Sequence, residues 1–124
     1  MQVLDQKSLV IPEIKVIRFQ RFNDDRGYFT ETYRKSDFEK IDFLKEVNFI
    51  QAYESFSKKG VIRGLHFQWN PYMAKLVKTV QGHMVDLFLD VRQGSPTFGK
   101  IAAYDMPSKP NQNYDQWIWI PIQT

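Results

Sequence analysis

Short runs in which apolar and polar residues alternate recur along the chain, each closed by a turn signal, and that spacing leaves few folds open. Lys15–Phe22 sets Val16, Arg18 and Gln20 against Ile17, Phe19 and Arg21, the period of two that sends successive side chains to opposite faces of a strand. Asn23-Asp24-Asp25 turns the chain into a second β-rich run, Tyr28–Tyr33. Ser36, with Glu39 three residues on, suits a capping box, and the short helix it would start has Phe38, Ile41 and Phe43-Leu44 for an apolar face. Strands are then predicted over Phe49–Phe56, Val61–Gln68, Leu76–Val80 and Met84–Val91, with Gln81-Gly82 as a hairpin-length break. Gly94-Ser95-Pro96 turns into Phe98–Met106, and a polar loop from Pro107 to Gln116 precedes a last strand, Trp117–Ile120. This pattern predicts an all-β sandwich or barrel with one early helix. No repeat, low-complexity tract or linker divides the chain, so residues 1–124 read as a single domain.

Composition narrows the function. With 43% hydrophobic and 15% aromatic residues, the 124-residue chain can build a core. It has no cysteine, which excludes disulfides, thiolate metal sites and thiol nucleophiles and fits a reducing compartment. No apolar run has signal-peptide or membrane-span length, so a soluble cytoplasmic protein with no membrane partner is expected. The net charge of +3 comes from 17 Lys and Arg interleaved with 14 Asp and Glu, a scatter that argues against a nucleic-acid partner. A small phosphorylated ligand needs only a few well-placed cations.

The stretch Gly60-Val61-Ile62-Arg63-Gly64-Leu65-His66-Phe67-Gln68 carries the clearest chemical signal. Residues three apart on a regular strand face opposite ways, so Arg63 and His66 share a pocket only if the strand distorts, and Gly64 is where distortion costs least. The alternative is a satisfied buried histidine beside a surface arginine; spacing alone leaves both open. His83 follows a turn and suits a solvated position. Asp86 and Asp90 share a strand face with Phe88 and Arg92, placed to flank a substrate or, more simply, to pair with Arg92 and neighbouring lysines. Lys75 leads an apolar strand, a place that also suits a snorkelling surface lysine. Trp117 and Trp119 suit packing. Histidine and carboxylate ligands are not clustered, so no metal site is expected.

Five segments together resemble the dTDP-4-dehydrorhamnose 3,5-epimerase family, sugar-nucleotide enzymes built on a cupin-type antiparallel jelly roll. They are Asp25-Arg26-Gly27-Tyr28-Phe29-Thr30-Glu31-Thr32-Tyr33, Phe49-Ile50-Gln51, Gly60 to Gln68, Lys75-Leu76-Val77-Lys78, and Asp90-Val91-Arg92-Gln93-Gly94-Ser95-Pro96-Thr97-Phe98-Gly99, in matching order between about residues 12 and 121. The resemblance implies an epimerase inverting C3, C5 or both in a dTDP-4-keto-6-deoxyhexose, in deoxysugar biosynthesis, without redox cofactor or metal. It implies His66 as catalytic base. Arg26, Glu31, Gln51, Arg63 and Lys75 match positions contacting the nucleotide, pyrophosphate or sugar, and Phe29 matches an aromatic of the nucleotide region. The chemistry suits these residue types. A neutral imidazole takes a proton made acidic by the adjacent ketone, an ammonium such as Lys75 steadies the enolate, and guanidinium groups grip a diphosphate.

The chain departs from the family at Tyr53, where asparagine is usual, in a longer loop over Pro107–Gln116, in a shorter stretch before Lys75, and at its end. Family members continue past Trp-Ile-Pro into further strands carrying a tyrosine acid and an aspartate that orients the histidine. The expectation is therefore a jelly roll incomplete at its C-terminus and homodimeric when full-length. The alternative is a degenerate or non-catalytic nucleotide-sugar-binding fragment.

Overall fold

Two of the predicted strands, through Val16 and through Trp119, lie side by side at the centre of the molecule. A computed structural model describes residues 1–69 and 71–121. In chain order the strands are β1 (Val3–Ser8), β2 (Lys15–Gln20), β3 (Phe22–Asp24), β4 (Gly27–Phe29), β5 (Lys75–Val77), β6 (Gly82–Leu89), β7 (Ile101–Ser108) and β8 (Tyr114–Ile120). One helix, α1 (Lys35–Phe38), stands between β4 and β5. The main sheet is antiparallel in the order β1-β2-β8-β5, while β3–β4 and β6–β7 are two-stranded hairpins.

Alternation in the central pair explains why it is covered on both sides. Val16 pairs with Ile118 and Ile17 with Trp117, so adjacent residues project to opposite faces. Val16 and Ile118 meet Ala102 and Met106 of β7, with Ile11 and Ile14, between the main sheet and the β6–β7 hairpin. Ile17 and Trp119 face the other way, onto Phe38, Ile41 and Leu44. The main sheet is thus the middle layer, with β6–β7 on one side and the helical segment on the other.

The helix departs from the capping-box expectation. Its N-cap is Arg34, no side chain caps it, and Ser36 lies inside it. After one α-turn the chain continues in three-residue steps, with the N–H of Ile41, Leu44 and Val47 donating to the carbonyls of Phe38, Ile41 and Leu44 at 2.9–3.1 Å. That period of three aligns Phe38, Ile41 and Leu44 against the sheet, so burial of their side chains sets the helix phase.

Other boundaries shift as well. Strand β1 was not anticipated; β2 ends at Gln20 because Arg21 turns into the interior; and the run from Tyr28 keeps strand geometry only to Phe29. The predicted Phe98 strand begins at Ile101, after a turn, and the polar loop shrinks because Tyr114, Asp115 and Gln116 pair with Gln20, Phe19 and Arg18. Phe49–Phe56 and Val61–Gln68, expected as strands, are not. They have no ladder partner among the described residues, and every residue from Ile50 to Trp69 is exposed. The end of the chain, residues 122–124, on which the expected incompleteness turned, lies outside the described residues.

Candidate functional site

Lys75 and Asp86 form the polar pair best placed by the fold. Lys75 pairs with Ile120 and Val77 with Ile118, which puts the Lys75 side chain on the face turned toward β6–β7. Asp86 pairs with Tyr104, between Met84 opposite Met106 and Phe88 opposite Ala102, so it stands on the inward face of that hairpin. Burial pushes the Asp86 carboxyl above its ordinary value, and a Leu87 backbone contact and the Lys75 charge pull it only partly back. Tyr104 shares this space and donates its hydroxyl to Gln116 Oε1 at 3.0 Å. The sequence alone leaves Asp86 flanking a substrate or pairing with Arg92 and neighbouring lysines, and does not fix its inward position. The signal that would have found it is its parity with Met84 and Phe88.

Arg26, Phe29 and Glu31 lie together on and just after the β3–β4 hairpin. Asp24 and Arg26 form a 2.6 Å ion pair at the exposed tip, which lowers the Asp24 carboxyl below its usual range. Phe29 is 70% exposed. The Arg34 guanidinium, bonded at 2.7 and 2.9 Å, and then the α-amino group of Met1 hold Glu31 down to about 2. The same amino group reaches Asp37 at 2.9 Å.

Gln51, Arg63 and His66 form a third group, on the exposed stretch. Gly64 has φ +123°, so the expected irregularity is present at a position where only glycine is unstrained. Among the described residues no hydrogen bond joins Arg63 to His66. Arg63 folds back on its own segment, donating to Ser57 Oγ at 2.9 Å and to the Phe56 carbonyl at 3.3 Å. Among the described residues no hydrogen bond or ion pair joins the three groups to one another. The physical reason is that residues 50–69 lack the strand neighbours that would seat them.

The two aspartates separate. Asp90 lies past the end of β6, buried and bonded to Arg92, Ser95 and Thr97, as the simpler reading expected for it. His83 is exposed as expected, although on β6 rather than in the turn, and pairs with Asp105 across the hairpin. Trp119 is core, and Trp117 packs beside it.

Residues 8–123 match the model of the dTDP-4-dehydrorhamnose 3,5-epimerase family. The chain is 40% identical over 118 residues to a dTDP-4-dehydrorhamnose 3,5-epimerase of Neisseria gonorrhoeae, covering 95% of this chain and 34% of that protein. It is also 40% identical over 117 residues to the Sinorhizobium fredii enzyme, covering 93% and 57%. Among solved structures, it superposes with a TM-score of 0.83 and 33% identity on the dTDP-6-deoxy-D-glucose-3,5-epimerase of Legionella pneumophila in complex with dTDP-4-keto-L-rhamnose, over 95% of this chain and 60% of that one. The Sulfolobus tokodaii dTDP-4-dehydrorhamnose 3,5-epimerase superposes with a TM-score of 0.80 at 33% identity, over 98% and 65%. The chain thus spans between about a third and two thirds of the length of these relatives. The fold is the antiparallel jelly roll that the motifs implied.

Proposed function

This chain belongs to the dTDP-4-dehydrorhamnose 3,5-epimerase family, and from that premise we propose that it serves the inversion of C3, C5 or both in a dTDP-4-keto-6-deoxyhexose. The observation that carries the proposal is the match over residues 8–123, to a family with a member solved bound to dTDP-4-keto-L-rhamnose.

In this mechanism the neutral imidazole of His66 accepts the proton from the carbon next to the C4 ketone, and the C–H electron pair passes into an enolate. The Lys75 ammonium, exposed at the start of β5 on the sheet face turned toward β6–β7, meets the developing negative charge on O4. Asp86, on the facing strand, lies within reach of the Lys75 charge, which favours its carboxylate. Protonation from the opposite face of the sugar then completes the inversion and requires a second acid. Arg26 and Arg63 take the diphosphate, while Phe29, Glu31 and Gln51 take the nucleotide and sugar. Cytoplasmic location and homodimeric assembly belong to the same proposal; no helix among the described residues is long and apolar enough to cross a membrane.

A second reading, binding of the nucleotide sugar without turnover, draws support from the exposed position of His66 and the inward turn of Arg63 onto its own segment. One experiment separates the two. The protein is incubated in heavy water with a dTDP-4-keto-6-deoxyhexose, and deuterium at C3 and C5 is followed by NMR. Exchange above background that disappears in His66→Ala is the expected result. Equal exchange in both would remove His66 from the mechanism, and tight binding with no exchange would favour the binding-only reading.

A further inference from the structure

The segment carrying Arg26, Phe29 and Glu31 leaves the main sheet after β2 and returns only at α1. Among the described residues its hairpin, β3–β4, pairs only with itself, and residues 30–34 have no strand partner. Side chains outside the proposed site fasten it. The Trp117 indole N–H donates to the Thr32 carbonyl at 2.7 Å, and Thr30 Oγ1 donates to the Gln20 carbonyl at 2.7 Å. The Arg21 guanidinium lies 4.0 Å from the centre of the Tyr28 ring.

Arg21 is an unusual anchor. It is 1% exposed, donates to the Lys109 carbonyl at 2.6 Å and to Ser108 Oγ at 3.0 Å, and lies 3.5 Å from Asp115. Asp115 in turn takes Lys78 Nζ at 2.7 Å. The guanidinium is thereby fixed from beneath and offers its face to Tyr28. Tyr28 and Phe29 are neighbours on β4 and so project to opposite sides of it. Seating Tyr28 on Arg21 therefore turns Phe29 outward. Three residues on, the single indole donor of Trp117 sets both the distance and the direction of the Thr32 carbonyl, immediately after Glu31.

We propose that Arg21 and Trp117 are positioning residues for nucleotide recognition: through Tyr28 and Thr32 they present Phe29 and Glu31 to the nucleoside diphosphate half of the substrate. The inference rests on the reading that Arg26, Phe29 and Glu31 hold that half. Isothermal titration of the protein with dTDP tests it, using Arg26→Ala as a reference, with Trp117→Phe and Tyr28→Leu as the test variants. Both test variants keep the hydrogen bonds and the ion pair of the buried Arg21. Each should weaken dTDP binding about fivefold, the worth of one lost contact, while the melting temperature stays close to that of the parent. Amide exchange over residues 27–33 should quicken with β2 and β8 unchanged. A merely structural role would lower the melting temperature and leave the affinity of the folded protein alone, and that result overturns the inference. If the parent does not bind dTDP, or Arg26→Ala binds it as the parent does, the nucleotide reading of this segment fails instead. If Arg26→Ala weakens binding but neither test variant does, only the positioning role falls.

Discussion

Asp90 shows how much one buried carboxylate organises. It accepts from Arg92 Nε at 2.9 Å and Nη2 at 2.8 Å, from Ser95 Oγ at 2.7 Å and from Thr97 Oγ1 at 2.5 Å, while Arg92 reaches on to Glu13 at 3.1 Å in the turn between β1 and β2. The Arg92 guanidinium above all, helped by the two hydroxyls and the Arg92 backbone N–H, holds the Asp90 carboxyl well below the usual carboxylate range. A lowered folded value means stability that is present above the unfolded value, near 3.8, and is lost as pH falls below it. Glu31 adds to the same acid-side loss, since it ionises at about 2 when folded against 4.5 ordinarily. Asp90→Asn should therefore cost about 3 kcal/mol at neutral pH, the usual penalty for orphaning one member of a buried pair. Urea titrations at several pH values should also show a shallower loss of stability below about pH 4 in the variant than in the parent. An unchanged denaturation midpoint would mean that the loop over residues 90–97 holds without this carboxylate.

At the scale of elements, the stretch from Ile50 to Trp69 is where local preference and tertiary context part. It is rich in β-forming residues, yet Ile62 is 94% exposed, Ile50 87% and Phe56 84%. Phe49 marks the boundary: its ring packs edge-on against Trp119 with centroids 6.2 Å apart, and the next residue points into solvent. β-propensity measures how well a side chain fits a pleated, half-buried surface, so it specifies a strand only when a neighbour supplies that surface. Among the described residues none does. Trypsin should accordingly cut first after Lys58, Lys59 and Arg63, leaving the main sheet intact, as mass spectrometry of a time course would show. Protection of these sites equal to that of β2 and β8 would mean that the stretch is covered in solution. The helix makes the complementary point, because Ser36 and Glu39 favour one phase while burial of Phe38, Ile41 and Leu44 enforces another.

Over the whole molecule, the two cores lie on either side of the main sheet, while a broad apolar surface faces outward. Val85, Leu87 and Ile101 on the outer side of β6–β7 are each more than half exposed, in addition to the stretch from Ile50. Surfaces of this kind, with free strand edges, drive association. Sedimentation of the 124-residue chain should show mass rising with concentration, and a monomer that persists across a wide concentration range would exclude this. The sequence by itself determined the β class, the strands through Val16, Met84 and Trp119 and the family, because alternation, turn residues and motif order are local and survive in one dimension. The hairpin expected at Gln81-Gly82 does not form among the described residues, since β5 pairs with β8 and β6 with β7. The tertiary structure alone decided that Arg21 turns inward to hold Tyr28, that Asp86 faces the layer holding Lys75, and that His66 stands on an unpaired stretch. Alternation states which residues share a face. What lies against that face depends on contacts between segments far apart in the chain, and only the folded molecule makes them.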